Sequence, residues 1–524
     1  MTPRTLGGAG GRVFPLIVKV TSSAVIGIDP YPVDVEVDLA PGLPQFSTVG
    51  LPDAAVKESK DRIKAAIKNS GYRFPEKRVT VNLAPADVKK EGTAFDLPIA
   101  VAILAAEGLI DPTKLKDYLI MGELSLDGGV KAIHGVLSAA FQAKAAGVAG
   151  ILVPGDNARE AAMVEGLPVF GMKSLSEIVE FIAGRKEVRP TKVHAADIFR
   201  KSLQYGVDFN EIQGQDQAKR AFEVAAAGGH NILMVGPPGA GKTMLAQRIP
   251  TILPDLTFEE AIEVTKIYSV AGLLGRKEIF WGTRPFRAPH HTVSDAGLVG
   301  GGHVPRPGEI SLAHHGVLFL DELSEFKKHV LEVLRQPLED GQVVITRSAM
   351  TTTYPSRFML VAAMNPCPCG YYGDPRRECA CTLRQIRQFK SKISGPLLDR
   401  IDIHVEVPSV KYRELAAKSG GEASATIKHR VETAREIQRK RFQGHTVRTN
   451  ARMTGRQIRQ FCVLDGESQA LLEMAMEKLG LSARAYTRIL KVARTIADLE
   501  GSEGISAGHI SEAIQYRSLD RKLI

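Results

Sequence analysis

The distribution of apolar and polar positions divides the chain into three stretches of different character. Up to about residue 184, strand-like runs at 33–39, 79–83 and 151–153 alternate with helix-like runs at 54–70, 98–107 and 136–146. That alternation predicts a self-contained α/β or α+β unit. A polar, charged stretch at 184–197 reads as a linker. From about 208 to 408 three runs are continuously hydrophobic: NILMVG at 231–236, GVLFLDE at 316–322 and FMLVAAMN at 358–365. Strands of that kind belong in a parallel sheet covered on both faces. After Pro408 the pattern turns helical, with a break at 419–424. A long basic helix is predicted over 426–442, and further helices near 468–479, 483–499 and 506–516. No internal repeat is found.

Composition narrows the class. At 524 residues the chain is long enough for several domains, and 44% apolar with 24% charged residues is ordinary globular usage, which excludes collagen-like, low-complexity and coiled-coil proteins. The longest apolar stretch, 97–106, is well short of the roughly 20 residues that cross a bilayer. The N-terminal apolar run is too short and interrupted for a secretory signal, so a cytoplasmic protein without membrane partners is expected. Net charge is +10, and ten Lys or Arg against two acids fall between Ile427 and Cys462. Concentrated positive charge suits a polyanion, of which nucleic acid is the commonest, although a solvated basic face has the same composition.

The strongest chemical signal is Gly236, Pro237, Pro238, Gly239, Ala240, Gly241, Lys242 and Thr243, a GxxxxGK[ST] loop between an apolar run and a helix-forming MLAQRI. Glycines let backbone N–H groups turn inward around phosphate, Lys242 reaches the β/γ oxygens, and Thr243 offers a hydroxyl to Mg²⁺. ATP with Mg²⁺ is therefore the expected ligand. The run at 316–322 ends in Asp321, placed to hold Mg²⁺ through water, and Glu322, placed to polarise an attacking water. The next run ends in Asn365, at the carboxyl edge where open α/β sheets bind ligands, and is assigned to position that water.

Four of the five cysteines, Cys367, Cys369, Cys379 and Cys381, form a CxC pair of pairs with glycines and a proline between them. Four soft ligands suit structural Zn²⁺; unligated thiols and an iron–sulfur cluster are the alternatives. Arg376, Arg377, Arg384 and Arg387 make the segment a basic finger beside Asn365. His290, His291, His303, His314 and His315 show no metal-ligand spacing, and hydrogen bonding in loops or interfaces is expected of them.

These residues resemble the AAA+ ATPases, with Asn365 in the sensor 1 position. More narrowly, the run at 284–322 (RPFRAPHHTVSDAGLVGGGHVPRPGEISLAHHGVLFLDE), NPCPCG at 365–370 and LLDRID at 397–402 resemble the YifB or ComM family of magnesium-chelatase-like AAA+ ATPases. The match covers essentially the whole chain. The resemblance implies an α/β P-loop ATPase core with a helical lid. It also implies a homohexameric ring in which Arg400 is an arginine finger serving a neighbour's ATP, and a sensor 2 arginine at Arg484, with Arg488 one turn on as the fallback. Segments 266–307 and 341–358 resemble the helix 2 insert and presensor 1 hairpin of this branch, which makes Arg284, Arg287, Arg306 and Arg347 candidates for backbone phosphates. Residues from Val79 onward are similar to the α/β proteolytic domain of Lon. The stretch 91–107 holds no serine, however, and the expected lysine position falls near Leu137, so a scaffold lacking the Ser-Lys dyad is expected.

The resulting organisation is a Lon-protease-like domain at 1–184, a linker at 185–207, an ATPase core at 208–408 with its four-cysteine finger at 365–382, and a helical lid at 409–524. The resemblance implies an ATP hydrolase that moves along or branch-migrates single-stranded or branched DNA in recombination and natural transformation. A protein-remodelling or chelatase-type ATPase that does not act on DNA is the alternative.

Overall fold

The computed structural model describes residues 17–519 except 88, 204, 275–278, 303–304, 348–349, 411–420, 446 and 518. His303 thus lies outside the described residues. The chain divides into two compact units, residues 1–200 with 265–281, and 201–264 with 282–524. No helix among the described residues is long and apolar enough to cross a membrane.

The first unit is built on a seven-stranded mixed sheet. Strands Ile17–Ile26 and Asp29–Ala40 form a hairpin, and Arg78–Ala84 adds antiparallel to the second of them. Tyr118–Ile120, Gly150–Pro154 and Val169–Met172 extend the other side in parallel, and Gln45–Val49 closes the opposite edge. The register places Val18 opposite Val37, Val20 opposite Val35, and Val35 and Val37 opposite Leu83 and Val81. Side chains of directly paired residues share a face, so these valines make one apolar surface. Helix Asp96–Ala106 packs against that hairpin and is buried at every position from Asp96 to Ala105. This explains why the segment is hydrophobic all round yet spans no membrane. Its one buried charge, Asp96, is clamped by Arg62 at 2.8 and 3.2 Å.

The expected ATPase segment 208–408 does not stay whole. Residues 265–281 pack with the first unit, for a visible reason. Tyr268 stacks on Trp281 with ring centroids 4.1 Å apart, Lys266 lies 4.5 Å over the Phe141 ring, and the Ser269 hydroxyl donates to Glu160 while accepting from the Gly135 N–H. Burial pushes the Glu160 carboxyl up, against hydrogen bonds from Ser269, Asn157 and the Leu137 N–H. The stretch expected to be a plain linker also holds a short helix, Ala195–Lys201.

The second unit carries a five-stranded sheet in the spatial order Phe286–Arg287, Val317–Leu320, Met359–Met364, Ile232–Val235, Ile403–Glu406, parallel throughout. All residues of its three middle strands are buried, as continuous apolar runs require. Helix Asp216–Gly228 packs with Ser424–Arg441 and Ala483–Leu499, and their apolar faces join one core with the sheet. Helices Gly455–Phe461, Gly466–Leu479 and Ala507–Gln515 complete the C-terminal portion. A hairpin, Gln342–Arg347 with Met350–Pro355, stands in the segment read as hairpin-like.

Candidate functional site

Strand Ile232–Val235 delivers the glycine-rich loop at its carboxyl end, and helix Lys242–Arg248 follows at once. Gly236 stands where the next strand's exit comes close: a Cβ there would lie 2.1 Å from the Val407 carbonyl oxygen, so a side chain has no room. Gly241, at φ 88°, occupies the left-handed region as the helix cap. The loop is thereby bent round a pocket of about 440 Å³ lined by residues 238–244 with Asp321, Glu322, Met364 and Asn365, within the size range of small-ligand sites.

Lys242 donates from Nζ to the carbonyls of Gly236 (2.7 Å) and Pro237 (2.9 Å) and to Asn365 Oδ1 (3.1 Å). Burial pulls its ammonium below the ordinary lysine value, with the carboxylates of Asp321 and Glu322 acting in the opposite direction. Thr243 Oγ1 donates to Asp321 Oδ2 at 2.7 Å. A hydroxyl and a carboxylate side by side are hard oxygen donors, the chemistry Mg²⁺ takes, so these residues fit the ion. Glu322 adopts φ 51°, an uncommon conformation for a residue with a side chain, and projects an exposed carboxylate. His291 Nδ1 lies 3.5 Å from it. That neighbour was missed in the sequence, because nothing in a spacing of this length points to contact.

The pocket thus unites the loop, Asp321, Glu322 and Asn365. It does not include Arg400, which is buried, donating to the Pro396 carbonyl at 2.6 Å and pairing with Glu339, while its Nε has no hydrogen-bond partner among the described residues. Arg484 is exposed and lies 3.3 Å from Asp399; Arg488 reaches buried Asp402 at 2.8 Å. Asp402 also faces His230 Nδ1 at 3.2 Å, and His230 Nε2 meets Thr495 Oγ1 at 2.8 Å. A buried polar network therefore ties the sheet to helix Ala483–Leu499.

The four sulfurs of Cys367, Cys369, Cys379 and Cys381 lie within 4.8 Å of one another, with three separations of 3.4–3.6 Å. A tetrahedral zinc with Zn–S bonds of ~2.3 Å needs sulfur separations of ~3.8 Å, close to those present. The N–H groups of Cys369, Tyr372 and Cys381 point at Cys381, Cys367 and Cys379 sulfurs, which is how thiolate charge is stabilised. The cluster fits Zn²⁺.

Arg284, Arg287 and several of the histidines are occupied by the protein itself. Arg284 donates to the carbonyls of Pro254, Asp255 and His315, and Arg287 forms a bidentate pair with Glu309 at 2.6 and 2.7 Å. Arg306 is exposed, and the Arg347 side chain lies outside the described residues. His290 bonds Thr292, whereas His314 and His315 share one oxygen of Glu263 at 3.0 and 2.9 Å. Because His314 Nδ1 accepts the Arg357 N–H, its Nε2 must carry the proton given to Glu263. That ring nitrogen is therefore not free to ligate metal.

A parallel α/β sheet whose glycine-rich loop faces a strand-end Asp-Glu pair and an Asn is the arrangement of P-loop nucleotide-binding proteins. Family models agree: that for magnesium chelatase, subunit ChlI, matches residues 208–415, that for subunit ChlI of Mg-chelatase matches 35–157, and that for the ChlI C-terminal region matches 421–517. The chain belongs to this magnesium-chelatase-like family of AAA+ ATPases, and membership implies ATPase activity with ATP and Mg²⁺. Its relatives include the uncharacterized protein YifB of Escherichia coli (strain K12), 45% identical over 507 residues, 96% of this chain and 98% of that protein. The competence protein ComM of Haemophilus influenzae is 44% identical over 508 residues, again 96% and 98%. The magnesium-chelatase 38 kDa subunit of Cereibacter sphaeroides is 23% identical over 324 residues, 58% of this chain and 88% of that subunit.

Proposed function

We propose that the chain is an ATP-driven motor acting on single-stranded or branched DNA as a homohexameric ring, promoting branch migration in recombination and natural transformation. The observation that carries this reading is full-length similarity to a protein named for competence, joined to a nucleotide pocket equipped for hydrolysis. Lys242 and the loop N–H groups bind the phosphates, and Thr243 and Asp321 hold Mg²⁺, which supplies charge neutralisation at the phosphates. Glu322 orients and deprotonates the attacking water, and Asn365, already bonded to Lys242, positions it.

Arg400 acts in trans as the arginine finger. Its pair with Glu339 keeps the guanidinium inside its own chain, so reaching a neighbour's phosphate requires that pair to open. Arg484 serves as sensor 2 once it leaves Asp399. In this reading residues 1–184 are a Lon-like scaffold without peptidase chemistry, 185–207 a connector, 208–408 the motor core and 409–524 the lid. The four-cysteine finger holds structural Zn²⁺, and the protein works in the cytoplasm.

A second reading, a chelatase-type or protein-remodelling ATPase indifferent to DNA, is favoured by the more distant chelatase subunit. ATPase rates with and without single-stranded, double-stranded and branched DNA at two salt concentrations separate the two. Stimulation that falls steeply with salt supports the motor, as does branch migration on a synthetic Holliday junction; a rate indifferent to polynucleotide supports the second reading. Lys242→Ala is expected to abolish turnover under either. Arg400→Ala subunits mixed with wild type are expected to depress activity more than their proportion, and a decline simply proportional to dose contradicts a shared site.

A further inference from the structure

We propose that the four-cysteine finger and the helix behind it, residues 367–392, form a binding site for single-stranded DNA, in contact with the nucleotide loop. This rests on the motor reading and names where the strand is held.

The first support is charge that the protein does not neutralise. Arg376, Arg377, Arg384 and Arg387 are exposed, and among the described residues none forms a close ion pair with a carboxylate, although Arg376 lies near enough to Asp374 to help hold its carboxyl below the usual value. Glu378 is the only acid in residues 375–392, and Asp374 is engaged by the Arg376 N–H and the Ser409 hydroxyl. Helix Leu383–Lys390 buries only Ile386 and Phe389 and carries Arg384 and Arg387 outside.

The second support is the aromatic groups interleaved with that charge. The Arg377 guanidinium stands 4.2 Å over the Tyr371 ring and donates to its hydroxyl at 2.9 Å. Tyr372 is 43% exposed, with the Lys390 ammonium 5.6 Å from its centroid, and Leu383 is 66% exposed. One face of Tyr371 is thus covered by Arg377, and Tyr372 is the exposed ring: an exposed aromatic beside cations stacks an unpaired base while the cations hold phosphates, whereas a duplex offers phosphates alone.

Contact with the nucleotide loop is the third support. Gly370, at φ 86°, packs so tightly on the loop that a Cβ would lie 2.5 Å from Pro238 Cδ. Asp374 Oδ2 accepts from Ser409 at 3.1 Å and Arg376 donates to the Val410 carbonyl at 3.1 Å, while Gln215 bonds both Pro408 and Ala240 of the loop. A strand held on the finger therefore bears on the element that holds phosphate.

The test is fluorescence anisotropy of labelled oligo(dT) with the full-length protein across a salt series. In Arg377→Ala/Arg384→Ala/Arg387→Ala, affinity is expected to fall at least about tenfold, and the slope of log affinity against log salt to shrink by about two, near 0.7 for each lost phosphate contact. Zinc content and DNA-free ATPase rate are expected to stay at wild-type values. Tyr372→Ala is expected to weaken binding where Tyr372→Phe does not. Should the triple variant lose zinc, Arg384→Glu/Arg387→Glu, confined to an exposed helix face, reads the same effect. Wild-type affinity and slope in both arginine variants would overturn the proposal while leaving the motor reading intact. An equal loss for duplex and single strand overturns the single-strand assignment, and a wild-type protein that binds no DNA overturns both readings.

Discussion

Two regions of this chain are basic in sequence and differ in how far the protein's own carboxylates take up that charge. Of the ten cations between Ile427 and Cys462, six are held by the protein's own groups. Lys428 pairs with Asp255, Arg430 with Glu223 and Glu422, Arg439 with Glu436, and Arg441 with Asp498, while Arg435 and Arg452 donate to backbone carbonyls. By the same measure the finger's Arg376 and Arg377 are engaged, by the Val410 carbonyl and the Tyr371 hydroxyl, whereas exposed Arg384 and Arg387 make no ion pair among the described residues. A local excess of positive residues therefore says little about affinity for a polyanion until their partners are known. In the helical segment Arg430 and Arg441 tie one helix to others through Glu223 and Asp498, while Lys440, Arg448, Arg456 and Arg459 are exposed; on the finger all four arginines are exposed.

The largest expected effect that sharpens this contrast is in Arg441→Ala. Asp498 is fully buried and receives both Arg441 and Arg494. Removing one partner leaves a buried carboxylate under-compensated, at a cost of about 3 kcal/mol in chemical denaturation, with little change in oligo(dT) affinity of the folded protein. The finger variants are expected to behave in reverse, with a large change in affinity and a small one in stability. Next comes acid. Asp402 is buried, and the Arg488 guanidinium and the His230 hydrogen bond hold its carboxyl well below the usual range against the opposing cost of burial. A depressed folded value means that its stabilisation is complete above the unfolded value of ~3.9 and is lost as pH falls below it. Thermal melts of Asp402→Asn are accordingly expected to be less stable than wild type at neutral pH and to converge on it in acid. The smallest effect belongs to Arg439→Ala. Its pair with Glu436 is solvent-exposed, and the loss is expected to be below ~0.5 kcal/mol. A loss as large as that of Arg441→Ala would break the distinction between structural and exposed cations.

Much of the fold could be read from local signals, because burial writes itself into periodicity. Helix Ala54–Asn69, helix Ala483–Leu499 and the strands at 232–235, 317–320 and 359–364 stand where apolar pattern placed them. The nucleotide loop was legible because its glycines, lysine and threonine are consecutive, and the strand before it and helix after it are where the motif needs them. What escaped are pairings across long separations. No periodicity links Ser269 to Glu160, Glu263 to His314 and His315, or His291 to Glu322, and the strand Ile17–Ile26 mixes polar and apolar residues too evenly to stand out. Arg400 shows the same limit: its motif was legible, but the Glu339 carboxylate that holds it inward was not.

The excursion of residues 265–281 into the first unit has a practical corollary for anyone dividing the molecule. A fragment ending near residue 184 would lack Tyr268, Trp281 and the Ser269 hydroxyl, leaving Glu160 short of a donor in a dry interior. Its melting point should rise when a peptide spanning 258–281 is supplied in trans, which marks the N-terminal unit as a fold whose last piece is encoded beyond an intervening stretch, 201–264, that belongs to the other unit.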